Sequence, residues 1–319
     1  MAEISVVAPD GVPEVRAGDD LAGVLLPALR SADLADGDIL VVTSKVVSKA
    51  EGRVVRGGRE EWIDAETERL VARRGPMRIV RNRLGLTMAA AGVDASNVEG
   101  GSVVLLPEDP DASARALRAA IAERTGINVG VVVTDTAGRP WREGQTDIAI
   151  GAAGMVVLES FVGRTDAHGN ELAVTAPAVA DEIASAVELA QGKLGARPCA
   201  LLRGRADLVL ARGEDGAGAR VLIRADGADL FGYGAREAVV RAATGDPADR
   251  APFGSPVTAE ELAAALGRAQ IDTAAVAEDE VGCSSARRAI VEILAFAHGW
   301  QVVGDPKDGT DLRLQPCTP

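Results

Sequence analysis

The chain has 319 residues, 47% of them hydrophobic but only 3% aromatic, and a formal net charge of -13. That length points to two domains or to one large domain with an appendage, and the composition to cores of Val, Leu, Ile and Ala in an α/β balance. The acidic surplus argues against a nucleic-acid backbone or an anionic membrane surface as the main partner, so any bound phosphate must meet a local basic pocket.

Three cysteines (Cys199, Cys283, Cys317) and two histidines (His168, His298) narrow the chemistry further. The cysteines are too far apart for a zinc knuckle, and their odd number gives no disulfide framework, which fits a reducing cytoplasm. So few histidines give little support to a Ser-His-Asp triad or a His-based zinc site, and a metal here would take oxygen ligands. The N-terminal MAEISVVAPDGVPEV has no signal-peptide features, and no stretch approaches the ~18 apolar residues of a membrane span, so a soluble protein is expected.

In chain order, Ile4 to Val7 reads as a strand, Leu21 to Arg30 as a helix opened by Asp19 and Asp20, and Ile39 to Val42 as a second, buried strand. Just past its end stand Ser44, Lys45, Ser48 and Lys49, two hydroxyls and two ammonium groups. Strand ends are a usual place for ligands in α/β sheets, and lysines there suit phosphate or carboxylate; a solvated loop is the alternative. Glu60 to Arg74 reads as an amphipathic helix, followed by a basic run of Arg73, Arg74, Arg78, Arg81 and Arg83, which faces either solvent or a phosphorylated ligand. Asp94-Ala95-Ser96-Asn97 follows a small apolar run and fits a helix cap or an Asx-turn.

A helix capped by Asp111 or Ser113 runs to about Arg124 and stops at Gly126. The Val129 to Val133 run is β-branched and uncharged, as in a strand buried on both faces, and delivers Asp135 and Thr136 into a tight turn at Gly138-Arg139-Pro140. A carboxylate there needs a partner, either a bound cation or the hydrogen bonds of a turn. Apolar Ile148 to Val157 follows, then a helix over Ala176 to Leu189 with Asp181 and Glu182 early in it. The Gly-rich loop Gln191 to Pro198 carries Lys193 and Arg197, and neither standard nucleotide fingerprint is present. Ala200 to Leu202 is strand-like, residues 246–257 form a candidate linker, and beyond it come helices over Thr258 to Gln270 and Ala286 to Ala297 and a strand at Trp300 to Val303.

Four stretches, Val41–Gly52, Gly92–Val98, Thr134–Pro140 and Ala180–Ala184, resemble in order and spacing the coenzyme F420-0:L-glutamate ligase family, over about residues 4 to 245. The resemblance implies a mixed α/β (α+β) ligase core over 1–245, the linker 246–257 and a small α/β segment over 258–319 of unassigned role. It implies a homodimer that uses GTP to join glutamate to a deazaflavin coenzyme precursor through an acyl phosphate, with further γ-linked glutamates in some members. Carried over, Asp94 and Asp135 are divalent-metal ligands, Thr136 a second metal position, and Asn97 a nucleotide contact. Ser44, Lys45 and Lys49 with Val12, Pro13, Glu14 and Val15 form the nucleotide-binding segments, joined by the loop containing Gly192 and Lys193. Two Mg²⁺ or Mn²⁺ ions are implied, with K⁺ a further candidate, and Asp94, Asp135 and Lys49 carry the catalysis. Some relatives add a flavin-binding second domain; the segment after the linker is too short for one, so no flavin is expected. The competing readings are a metal-dependent phosphotransferase or phosphatase and a non-catalytic deazaflavin- or nucleotide-binding protein.

Overall fold

A computed structural model describes residues 3–225, 227–229, 231–303 and 311–317. They divide into two compact units, residues 1–69 with 79–223, and residues 70–78 with 224–319.

The first unit is built on a five-stranded sheet in the order Ser5–Val7, Cys199–Arg203, Ile39–Thr43, Gly130–Gly138, Gln145–Ala153. Only the Ile39–Thr43 and Gly130–Gly138 pair is parallel; the others are antiparallel. Because side chains alternate across a strand, Leu40 and Val42 turn to one face and Ile39 and Val41 to the other. On the first face they join Val131 and Val133, Leu25 and Leu29 of the Leu21–Ser31 helix, and Leu117 and Ile121 of the Pro110–Thr125 helix. On the second they meet Val132 and Ile183 and Val187 of the Val179–Gln191 helix. A sheet covered on both faces needs its central strands apolar throughout, which is what the unbroken Val129–Val133 run supplies. Asp109 caps the Pro110–Thr125 helix by accepting from Ala112 N at 2.9 Å, and Asp111 serves elsewhere, accepting from Ala152 N at 2.8 Å and Ala219 N at 2.7 Å.

Three expected elements come out differently. Lys45 and its neighbours lie on a helix, Ser44–Ala50, whose Ser44, Ser48 and Lys49 are buried, and not on a solvated loop. The helix expected over Glu60 to Arg74 ends at Ala65, and Thr67–Arg74 is a strand. Its residues alternate between exposed and half-buried up to Ala72, a period of two that the surrounding charges concealed. The strand expected to stop at Val133 runs on to Gly138, because Gln145–Ala153 pairs with it over its whole upper half.

The second unit contains a four-stranded antiparallel sheet in the order Thr273–Ala277, Glu280–Ser284, Asp311–Pro316, Trp300–Val302. It packs with the helices Ala259–Arg268 and Arg288–Ala297 through Leu262, Leu266, Val281, Val291, Trp300, Leu312 and Leu314. Two helices and one strand were legible in sequence, and three further strands complete the sheet. The division at residue 224 precedes the 246–257 stretch, because the Ala235–Thr244 helix packs with Arg288–Ala297. Tyr233, Phe253 and Phe296 continue that packing in edge-to-face contacts at 5.2 and 5.8 Å. The 246–257 stretch itself holds two 3₁₀ turns, Pro247–Asp249 and Ala251–Phe253, and Asp249 accepts from Arg241 at 2.9 Å.

Within the first unit, Arg118 fastens the irregular 205–220 segment to the start of the Gly130–Gly138 strand. It is 5% exposed, and its guanidinium donates to Val129 O at 2.9 Å, Glu214 O and Asp215 Oδ1 at 3.0 Å, and Ala211 O at 3.1 Å. Gly154 makes room for it, since a Cβ there would lie 2.0 Å from Arg118 Nε. Arg118→Met breaks these bonds, leaves the carbonyl of buried Val129 unpaired and is expected to lower unfolding free energy by about 2 kcal/mol. A urea midpoint equal to that of the unsubstituted protein would show that Arg118 does not hold the segment.

Candidate functional site

The candidate site lies where the parallel pairing of Ile39–Thr43 with Gly130–Gly138 ends. Their register pairs Thr43 with Thr134, so the next residues, Ser44 and Asp135, fall side by side. Ser44 Oγ donates to Asp135 Oδ1 at 3.0 Å. One helical turn on, Ser48 is fully buried and its hydroxyl has no hydrogen-bond partner among the described residues.

Because Asp135 and Thr136 sit within a strand and not in a turn, their side chains leave on opposite faces. Asp135 shares its face with Val131 and Val133, and Thr136 shares the other with Val132. The site therefore has two halves astride one strand.

On the first face, Lys45 Nζ lies 2.6 Å from Asp94 Oδ2 and 2.7 Å from Ser96 Oγ. Asp94 also closes an Asx-turn, accepting from Ser96 N at 2.7 Å, so the local role read from Asp-Ala-Ser-Asn and an ionic role coexist. Its backbone is bridged to Val104, with Asp94 N donating to Val104 O at 3.0 Å. Although burial raises the Asp94 carboxyl, hydrogen bonds from Lys45 and Ser96 prevail and hold it below its ordinary value. Asp135 goes the other way. Burial pushes it up to about 6, and the nearby carboxylates of Asp147 and Asp94 add to the rise against the Ser44 hydrogen bond.

On the second face, the antiparallel register sets Asp147 opposite Thr136. Thr136 Oγ1 donates to Asp147 Oδ1 at 2.8 Å and Thr134 Oγ1 to Oδ2 at 3.3 Å. Lys193 reaches in from the exposed loop after the Val179–Gln191 helix and donates to Thr136 Oγ1 at 2.9 Å. Asp147 was not singled out from the sequence. The apolar run was read as starting at Ile148, one residue later, and the signal was an acid in step with the alternation of Gln-Thr-Asp-Ile-Ala-Ile.

Lys49 and Glu14 pair with each other and border an open cavity of about 400 Å³, together with Val15, Asn97 and Glu99. Val12 packs against the core instead, Pro13 and Gly192 are exposed, and none of these three borders the cavity. Asp181 is a structural acid, accepting from Ala149 N at 2.8 Å beside a register shift in the sheet. Of the basic run, Arg83 is tied to Glu66 at 2.8 Å and to Pro107 O at 2.8 Å, and Arg81 lies 3.9 Å from Glu68.

The donor set is made of hard oxygens: carboxylates of Asp94 and Asp135 on one face, and Thr136 with Asp147 on the other. Among the described residues, no three His, Cys, Asp or Glu side chains converge closely enough to hold a metal alone. Such a partial set fits Mg²⁺ or Mn²⁺, which keep waters and complete their shells with phosphate oxygens.

The profile of the family described as F420-0:Gamma-glutamyl ligase matches residues 11–61 and 60–204, a span that contains every residue of this site. The chain is 42% identical over 240 residues to the coenzyme F420:L-glutamate ligase of Methanopyrus kandleri, covering 68% of this chain and 93% of that protein. It is 40% identical over 223 residues to the Archaeoglobus fulgidus protein of the same name (63% and 88%). To that of Haloarcula marismortui it is 38% identical over 226 residues (63% and 87%).

The raised Asp135 pKa has a consequence for stability. The folded chain keeps a proton on Asp135 up to about pH 6, whereas the unfolded chain releases it near 3.8. In metal-free protein, its contribution to stability is therefore greatest below the lower value and declines as pH rises between the two. Asp135→Asn removes this dependence and is expected to gain on the unsubstituted protein as pH rises from about 4 to 7, by at most about 3 kcal/mol. Urea midpoints measured across that range with a chelator present check it, and parallel pH profiles would refute it.

Proposed function

Because the chain belongs to the F420-0:gamma-glutamyl ligase family, we propose that it joins L-glutamate to the carboxylate of the deazaflavin precursor F420-0 in coenzyme F420 biosynthesis, with GTP as the phosphoryl donor. The observation that carries this reading is the pair of oxygen half-sites astride the Gly130–Gly138 strand at Asp135 and Thr136, each with a lysine ammonium already on its oxygens. Phosphoryl transfer consists largely of positioning and charge stabilisation, and such an arrangement provides both.

A carboxylate does not condense with an amine at neutral pH. On this reading, the coenzyme's carboxylate oxygen attacks the γ-phosphorus of GTP, the bond to the β–γ bridging oxygen breaks, and GDP leaves. The glutamate α-amine then attacks the acyl carbon of the acyl phosphate, inorganic phosphate departs, and the amine gives up a proton as the amide forms. Asp94, Asp135 and Thr136 would hold divalent ions, whose chemistry would be to neutralise charge on the phosphate oxygens. Lys45 and Lys193 can turn from their present oxygens to phosphate, and Lys49 and Asn97 border the cavity that would take the nucleotide. Ser44 holds the Asp135 carboxylate in orientation through its hydrogen bond. A homodimer in the cytoplasm is part of the same reading.

Mass spectrometry of the reaction with F420-0, L-glutamate, Mn²⁺ and either GTP or ATP tests this. With GTP, a product heavier by one or more glutamyl units is expected, and Asp135→Asn should slow its formation by at least about a hundredfold, the usual scale for loss of an essential electrostatic group. Nucleotide consumption with no glutamyl product would replace the ligase with a phosphotransferase, and ligand binding without turnover would replace it with a binding protein.

A further inference from the structure

We propose that Asp147 is a positioning residue for the second cation position: it fixes the Thr136 hydroxyl so that this oxygen presents a lone pair to a divalent ion. The inference rests on the metal reading given above and adds to it a residue outside the four stretches that carry the family resemblance.

A threonine hydroxyl is a weak, freely rotating ligand, and it binds a cation well only if its hydrogen is committed elsewhere. Here it is. The register of the antiparallel pair sets Asp147 directly opposite Thr136 on one face, and the 2.8 Å bond from Thr136 Oγ1 to Asp147 Oδ1 takes up the hydroxyl hydrogen. The second carboxylate oxygen accepts from Thr134 at 3.3 Å. This anchors the acid from two positions on the same strand, one on each side of Asp135.

The remaining lone pairs of Thr136 Oγ1 point away from the hydrogen it donates. One of them already meets a cation, the Lys193 ammonium at 2.9 Å. The oxygen is thus arranged as an acceptor for positive charge, which a hydroxyl turned the other way would not be.

Asp147 is 4% exposed, and its hydrogen-bond partners among the described residues are hydroxyls and not ammonium or guanidinium groups. A carboxylate that served only to tie two strands together would be a costly choice at such burial, since a neutral amide bonds the same hydroxyls without the desolvation penalty. A charge kept there raises the affinity of the adjoining oxygens for a cation. Ser185, which donates to the Asp147 backbone carbonyl at 2.9 Å, holds the residue from the helix side and leaves the carboxylate free for this role.

The test is Mn²⁺ binding to the full chain, followed by electron paramagnetic resonance of the free ion, in the presence of GDP and without turnover. Asp147→Asn is nearly isosteric and is expected to weaken binding at one site by about tenfold or more, the usual scale for losing a residue that orients a ligand. Thr136→Val is expected to weaken the same site. The double variant should bind no more weakly than Thr136→Val alone, because Asp147 acts through that hydroxyl. A purely structural Asp147 would instead lower the urea midpoint while leaving Mn²⁺ affinity within twofold, and that result would overturn the proposal, as would fully additive losses. Asp147→Ser replaces Asn if the latter does not fold. Should the unsubstituted protein bind no Mn²⁺ at all, the metal reading falls and this inference with it; normal binding by the unsubstituted protein and by Asp147→Asn sinks only the inference.

Discussion

The pairing of Ile39–Thr43 with Gly130–Gly138 is the constraint on which the rest of the first unit depends. It is the one parallel pair in the sheet, and its register of Thr43 with Thr134 decides what the chain brings together at the strand ends. A slip of one residue would turn the apolar side chains of either strand to the wrong face and would carry Ser44 away from Asp135. The two hydrophobic clusters, one on each face of the sheet, therefore fix the site as well as the fold. Stability and function draw here on the same register, so the strands cannot be tuned for one without moving the other.

Strand geometry also explains why the site has two halves. Consecutive residues at the end of a strand leave on opposite faces, so Asp135 and Thr136 cannot serve one compact pocket as adjacent residues of a loop can. Each half is completed by a different part of the chain. Lys45 comes from the helix that follows the neighbouring strand, Asp94 from a turn bridged to Val104, and Lys193 from the loop after the helix on the far face. The Gly130–Gly138 strand, which carries both Asp135 and Thr136, is what the two halves share. This accounts for a site whose residues are spread over some 150 positions of sequence and whose parts look unremarkable one at a time.

What could be read from the sequence follows the same division between local and non-local causes. The Val129–Val133 run announced a buried strand because its composition is local information, and Asp135 drew notice as an acid at the end of such a run. That the strand continues through Thr134-Asp135-Thr136 was hidden, since its polar residues and the Gly138 and Pro140 signals read as a turn. Only pairing with Gln145–Ala153 carries it on. Asp147 was lost for the same reason: its meaning lies in standing opposite Thr136. The Ser44–Ala50 helix is too short to show a periodicity, and its lysines suggested solvent although Lys49 is buried. In the second unit, Thr-Ala-Ala-Val-Ala and Glu-Val-Gly-Cys-Ser have little strand propensity, and sheet partners separated in sequence supply what propensity lacks.

The charges at the strand end bear on how the proposed substrates meet. Three carboxylates, Asp94, Asp135 and Asp147, face two ammonium groups, Lys45 and Lys193, and both lysines are engaged by side-chain oxygens of the site. Such a cluster has no surplus of positive charge to attract a triphosphate, and the whole chain is acidic as well. A nucleotide arriving alone would meet repulsion. On the proposed function, a nucleotide carrying divalent ions would bring the missing charge with it, and Lys45 and Lys193 would then be free to turn toward phosphate. The rise of Asp135 to about 6 comes first from desolvation, and the same crowding of acids adds to it through Asp147 and Asp94. On the ligase reading, the cation is what makes the nucleotide and the acidic strand end compatible, and binding of the two is coupled because neither satisfies the site without the other.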